Sequence, residues 1–244
     1  MQTKTKGLII REQTVGESDK LVTALTEDFG LIKAFVRRAK TIKSQNLSAT
    51  SLFAYSELSL YRSKDAFVID NATAIEVFFD LRRDIETLSL AQYFAQLCIF
   101  LGEEEHPSPS MLRLMLNSLY LLCQGKKSHS QIKATVELRM LTLGGYMPDL
   151  TACYRCGTYE SEVMYFDVQE GCIYCQDCFR NNALIAPLGV ITAMRYICLS
   201  DLGKVFSFNI GEENMNILSD ITEKYTLSRI DGRLTTLDFY KAII

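Results

Sequence analysis

Up to about residue 80, apolar and polar positions alternate in short runs rich in Val, Ile, Leu, Thr, Phe and Tyr, broken by Gly and Asp turn signals. A period of two predicts strands. Five fall near 5–13, 19–26, 31–38, 55–62 and 66–75, with Asp28-Phe29-Gly30 and Ser63-Lys64-Asp65 as tight connections. From Asp80 the period changes. Leu81, Ile85, Leu88, Ala95, Cys98 and Leu101 recur at helical spacing, with no Gly or Pro before Gly102. Pro107-Ser108-Pro109 restarts a second helix carrying Met111, Leu112, Met115, Leu119 and Leu122 as far as Gly125. A third opens at Ser128, where Ser128-x-x-Gln131 has the capping-box form. Ile132, Val136, Met140 and Leu143 make its stripe, and Gly144-Gly145 closes it.

Residues 149–182 interrupt this pattern with a dense cysteine cluster around a hairpin-like stretch, 163–167 followed by Glu170-Gly171. Helical periodicity then returns over 187–199 and 212–225. The predicted class is α+β: a β-domain over 1–80, then a helical domain over 81–244 interrupted by a small module at 149–182. There is no internal repeat and no low-complexity tract.

The chain opens Met1-Gln2-Thr3-Lys4, and its first apolar run is only Leu8-Ile9-Ile10, far short of the roughly 7–15 residues of a signal-peptide core. Its longest charge-free stretch, 87–102, holds Gln92 and Gln96, whereas a spanning helix needs about 20 predominantly apolar residues. The expectation is a chain neither exported nor inserted in a membrane. For eight cysteines in such a chain, metal binding or core packing comes before disulfides.

Cys153-Tyr154-Arg155-Cys156 and Cys175-Gln176-Asp177-Cys178 form two C-x2-C pairs eighteen residues apart, a spacing that suits one closed four-thiolate zinc site of structural kind. Cys172 complicates the assignment, because Cys172-Ile173-Tyr174-Cys175 is also C-x2-C. Either pair can close the site on spacing alone. Cys175 and Cys178 are preferred, since Gly171-Cys172-Ile173 reads as the incoming strand and Cys175 begins the knuckle leading into Phe179. Cys98, Cys123 and Cys198 lie among apolar residues on predicted helices and read as inert buried thiols.

The 26 Lys and Arg against 29 Asp and Glu leave a net charge of −3, which does not advertise a nucleic-acid partner. Local charge does. Between Lys33 and Lys64 the basic residues are Lys33, Arg37, Arg38, Lys40, Lys43, Arg62 and Lys64, against the single acid Glu57. With a Debye length of about 8 Å at physiological salt, acids on another domain do not cancel that patch. In the third strand, alternation puts Ile32, Ala34 and Val36 on one face and Lys33, Phe35 and Arg37 on the other. A basic face with an exposed ring suits a single nucleic-acid strand, cations tracking phosphates and rings stacking on bases. Tyr55 and Tyr61 share a face of the fourth strand, and 38–51 reads as a mobile basic loop beside it.

Enzyme signatures fail. Gly125-Lys126-Lys127-Ser128 lacks the earlier Gly of a phosphate loop, since Tyr120 stands there. No G-x-G-x-x-G follows a strand, H-E-x-x-H is absent, and the only histidines, His106 and His129, read as surface residues. The expected protein is not an enzyme.

The run Gly7-Leu8-Ile9-Ile10-Arg11, then Gly16-Glu17-Ser18-Asp19-Lys20-Leu21-Val22, then Thr26-Glu27-Asp28-Phe29-Gly30-Leu31-Ile32-Lys33-Ala34, resembles the opening of the RecO family of bacterial DNA repair proteins. Arg37-Arg38-Ala39-Lys40 with Lys43-Ser44 sits where that family carries a basic segment, and 171–179 looks like its second zinc knuckle, which also favours Cys175 and Cys178. The resemblance covers the whole chain in order. In the tail, Thr235-Thr236 stand where the family often has Lys-Ser.

The resemblance implies an N-terminal five-stranded OB-fold barrel and a helical domain bearing a zinc module with one structural Zn2+ per chain. It further implies a non-enzymatic activity in the bacterial cytoplasm, at the nucleoid: annealing single-stranded DNA and, with RecR, helping RecA onto strands covered by single-stranded-DNA-binding protein (SSB), recognised through its C-terminal tail. The candidates for phosphate neutralisation are Lys33, Arg37, Arg38, Lys40 and Lys43, joined by Arg11, Lys20 and Arg62. A rival reading is a structural zinc-containing interaction protein whose basic stretch binds acidic protein partners.

Overall fold

Five strands close into a barrel because each carries one apolar face, and a closed sheet buries every such face at once while leaving no edge. In the computed structural model, which describes residues 2–17, 19–37, 46–63, 66–179 and 182–244, they are β1 (Gln2–Val15), β2 (Asp19–Thr26), β3 (Gly30–Val36), β4 (Ala54–Ser63) and β5 (Ala66–Val77). The order is β1-β2-β3-β5-β4, with β4 returning to β1. Within the barrel β3 and β5 run parallel, Ala34 opposite Phe67 and Val36 opposite Ile69. This is the OB-fold barrel. Its interior is Ile9, Val22, Ala24, Ile32, Ala34, Val36, Leu58, Leu60, Phe67 and Ile69, with Phe29 packed against them.

The barrel belongs to a first compact unit, residues 1–124 with 235–244; residues 125–234 form a second. The division into units thus falls at 124/125, whereas the hydrophobic period changes near residue 80. Strand ends differ from the alternation pattern where pairing continues past the apolar run, most of all in β1. Leu8, Ile9 and Ile10 are all buried, against strict alternation, because Ile9 joins the barrel interior while the helices that follow the barrel also pack against β1; a register shift against β2 follows between Ile9 and Arg11. Within the expected loop 38–51, a short helix, α1 (Asn46–Ala49), precedes β4. Asn46 fixes it: its side-chain oxygen accepts from the Ala72 amide at 2.9 Å, and its amide group donates to the Asp70 carbonyl at 3.3 Å.

After β5 the chain makes a 3-10 turn over Phe79–Arg83 before α2 (Ile85–Leu101) begins, later than the periodicity predicts. Asp84 sets the start, its carboxylate accepting from the amides of Glu86 and Thr87 and from the Thr87 hydroxyl. Most of α2 is buried, including Leu90, Tyr93, Phe94, Leu97 and Cys98. It packs with α3 (Pro109–Gln124), β1 and α7 (Thr235–Ile243), a helix that the sequence reading leaves as tail. The amide and hydroxyl of Thr236 both donate to the side-chain oxygen of Gln96 on α2.

In the second unit α4 (His129–Leu143) starts as its capping signal predicts, Ser128 accepting from the Gln131 amide at 3.2 Å. A four-stranded sheet follows, in the order β6 (Asp149–Cys153), β8 (Cys172–Cys175), β7 (Val163–Asp167), β9 (Leu184–Pro187). The expected hairpin is β7–β8. β6 flanks it on one side, and β9 on the other carries the sheet beyond residue 182, up to α5 (Leu188–Leu199). α6 (Glu212–Arg229) packs on α4 and α5. Buried within it lies a charged group: the Lys133 ammonium of α4 is 2.8 Å from both Glu137 and Glu223, and Glu137 also accepts from the Thr222 hydroxyl. Among the described residues no helix is long and apolar enough to cross a membrane.

Candidate metal centre and nucleic-acid interface

The sheet of the second unit brings two cysteine knuckles to one place. Cys153 ends β6 and Cys156 sits in the turn after it. That turn is closed by the Gly157 amide donating to the Cys153 carbonyl at 2.9 Å and the Cys153 amide donating to Thr158 at 2.8 Å. Gly157 takes a positive φ of 75°, which the turn needs and a side chain resists. Cys175 ends β8, and Cys178 lies in the 3-10 turn Gln176–Cys178. Because β6 pairs with β8, Cys153 stands opposite Ile173, and the Tyr154 amide donates to the Ile173 carbonyl. The four sulfurs of Cys153, Cys156, Cys175 and Cys178 all lie within 4.8 Å of one another, and these four can hold a metal ion.

Their acidities are pulled apart. The Thr158 hydroxyl and amide, with the neighbouring thiols, lower Cys156 to about 6. Hydrogen bonding with Cys156, then burial, pushes Cys178 up to about 12. Burial also raises Cys175, whereas at Cys153 backbone hydrogen bonds outweigh burial and the thiol falls below its usual value. One favoured thiolate thus disfavours its neighbours, and a central cation is what allows four thiolates to coexist.

Cys172 is not in the cluster. It is buried with its pKa raised by burial, and an extended strand turns residues three apart to opposite faces, so Cys172 cannot share a knuckle with Cys175. Cys98 is fully buried and pushed up to about 12 by burial, and Cys198 is buried and raised likewise. Cys123 is half-buried and also raised.

In the first unit β3 alternates as the sequence pattern requires. Ile32, Ala34 and Val36 are buried, while Lys33 and Phe35 face solvent, Phe35 at 37% exposure. Arg37 follows as an exposed turn residue rather than a strand residue. Arg38, Lys40, Lys43 and Lys64 lie outside the described residues. Among the others the structure separates two groups. Arg11 and Arg37 are exposed and make no ion pair among the described residues. Lys20 pairs with Glu12 at 3.0 Å, Lys33 with Glu104 at 2.7 Å, and Arg62 with Glu105 at 3.0 Å.

These carboxylates are what sequence reasoning missed. For Lys33 and Arg62 the available signal is the acidic run Glu103-Glu104-Glu105, which sequence alone does not connect to β3 or β4. Tyr55 and Tyr61 are half-buried on β4, sharing its face with Glu57.

Comparison with known proteins supplies the rest. Residues 1–78 match the family model described as Recombination protein O N terminal, and residues 82–238 match Recombination protein O C terminal. The DNA repair protein RecO of Acetivibrio thermocellus is 33% identical over 98% of this chain and 96% of its own length. That of Caldicellulosiruptor bescii is 28% identical over 98% of both, and that of Dehalococcoides mccartyi strain 195 is 30% identical over 89% of this chain and 85% of its own. With matches running from residue 1 to 238 across both the barrel and the cysteine-bearing unit, the chain belongs to the RecO family of DNA repair proteins.

Proposed function

We propose that the protein is a non-enzymatic mediator of DNA repair and recombination that binds single-stranded DNA on the barrel, anneals complementary strands and, with RecR, helps load RecA onto SSB-coated DNA. The observation that carries this reading is the face of β3, where Lys33 and Phe35 stand exposed, with Arg37 following, over a fully packed barrel interior. Cations on such a face neutralise phosphates and the ring stacks on a base without regard to sequence. Annealing needs no catalytic side chain: lowering the repulsion between two strands while leaving base edges free lets them pair. Lys33, Arg37, Arg38, Lys40 and Lys43, with Arg11, Lys20 and Arg62, are the proposed phosphate contacts. RecR and the acidic SSB tail enter as partners through the family, which also favours a cytoplasmic site of action at the nucleoid.

The proposed metal is one structural Zn2+ per chain. A Zn–S bond of about 2.3 Å sets tetrahedral sulfur separations of about 3.8 Å. The four sulfurs fit that frame, Cys156 and Cys175 already lying 3.6 Å apart. Four thiolates leave no position for water, so the metal supports the sheet rather than chemistry.

A second reading, an interaction protein whose basic stretch grips acidic partners, is favoured by the carboxylates already seated on Lys33 and Arg62. Mixing labelled complementary strands without nucleotide in a stopped-flow instrument separates the two. Acceleration that disappears when the charges from Lys33 to Lys43 are neutralised supports the annealing reading. A folded protein that binds a fluorescent SSB-tail peptide but never accelerates annealing supports the other.

A further inference from the structure

The segment after α2 is stitched to the first residues of β3. The Leu31 amide donates to the Glu103 carbonyl at 3.0 Å, and the Glu105 amide returns a bond to the Leu31 carbonyl at 3.3 Å. Gly30 makes this approach possible: at a φ of 57°, a Cβ there would lie 2.1 Å from the His106 carbonyl oxygen and 2.6 Å from that of Glu103. Glu105 itself holds a φ of 60°, a conformation that a residue other than glycine keeps only when its surroundings impose it. The backbone is thus fixed, and it aims two consecutive carboxylates at two cations. Glu104 meets Lys33 of β3 at 2.7 Å. Glu105 takes Arg62 of β4 in a fork, with both guanidinium nitrogens at 3.0 Å. Between them runs β5, where Phe67 stands in register with both Ala34 and Arg62 and lies under the Arg62 guanidinium at 5.4 Å.

We propose that residues 103–106 form an acidic strap whose Glu104 and Glu105 carboxylates occupy the places of two DNA phosphates, so that an incoming strand must displace them to reach Lys33 and Arg62. The proposal rests on the reading of this face as the DNA surface. The fork of Glu105 on Arg62 is the same bidentate geometry by which guanidinium grips phosphate. All four side chains are more than half exposed, so each pair is weak and exchangeable in water. A polyanion that releases counterions displaces them, but against a threshold that a short or isolated anion does not pass.

The test measures oligo(dT) affinity by fluorescence anisotropy. Glu104→Gln/Glu105→Gln should bind about tenfold more tightly at low salt, the gain shrinking as salt screens the pairs. Glu103→Gln, on the same segment but 4.0 Å from His106 rather than on a cation of the face, should change binding less than about twofold. In a Lys33→Gln background the Glu104→Gln gain should vanish. A gain that survives Lys33→Gln, or equals that of Glu103→Gln, reduces the effect to bulk charge and overturns the strap. Unchanged affinity in the double variant, where Lys33→Gln and Arg62→Gln still weaken binding, overturns the strap alone. If those two cation variants also bind normally, the DNA surface lies elsewhere and both readings fall.

Discussion

Cys172 and Cys175 stand three residues apart on β8 and face opposite sides of it. Cys172→Ser should therefore keep about one zinc per chain, while Ser at Cys153, Cys156, Cys175 or Cys178 should lose it. Structural zinc contributes roughly 10–16 kcal/mol in finger peptides, so losing a ligand should unfold the β6–β9 sheet. Metal analysis of the five single variants decides the matter. Zinc lost from Cys172→Ser and kept in Cys178→Ser reverses the ligand assignment.

Lys133 is buried between Glu137 and Glu223, and removing its charge strands carboxylates in the interior. Lys133→Met should cost about 3–5 kcal/mol in denaturant unfolding, and Lys133→Met/Glu137→Gln should recover part of it. Burial opposes the Lys133 charge, but the two glutamates win and raise its pKa above 10.5. The stability this raised value brings is complete below about pH 10.5 and is lost as pH climbs from there through the folded-state value. A wild-type stability that stays flat into that alkaline range argues against the pairing.

Phe35 offers a ring but no charge. Phe35→Ala should weaken single-stranded DNA binding by about 1–3 kcal/mol, similarly for all sequences, and leave the salt slope unchanged. Arg37→Gln should instead lower the log–log salt slope by about 0.7. If the two substitutions change the slope alike, ring and cation are not acting separately.

Asp84 accepts three hydrogen bonds at the start of α2. Asp84→Ala should cost about 1–2 kcal/mol, and Asp84→Ser or Asp84→Asn much less, as read from the urea midpoint. An equal loss in all three would mean that the carboxylate acts through its charge rather than as a cap.

The barrel was legible because its signal is local: Ile32, Ala34 and Val36 declare an inward face within a single strand. The start of α4 was legible for the same reason, through Ser128 and Gln131. What stayed hidden depends on partners distant in sequence. β6 is five residues long and exists by pairing with β8, some twenty residues on. Lys133 and Glu137 look like a solvated helical pair until Glu223 and Thr222 close over them. Glu104 and Glu105 likewise have no address in sequence, because their partners are on β3 and β4. The thiolate set lay between these cases. Spacing leaves two choices, and the structure gathers the sulfurs of Cys153, Cys156, Cys175 and Cys178 while Cys172 stands outside them.

The return of α7 to the first unit has a consequence for biosynthesis. Residues 125–234 emerge from the ribosome after most of that unit and before its last helix, so α2 must wait for Thr236 to reach Gln96 until the intervening unit has been made. Closing so long a loop adds little entropic cost, since that cost grows only logarithmically with length. The delay instead leaves the surface of α2 on which α7 packs, through its buried Leu237 and Tyr240, without its cover on the nascent chain. Transiently uncovered apolar surface of this kind is prone to aggregation until α7 docks.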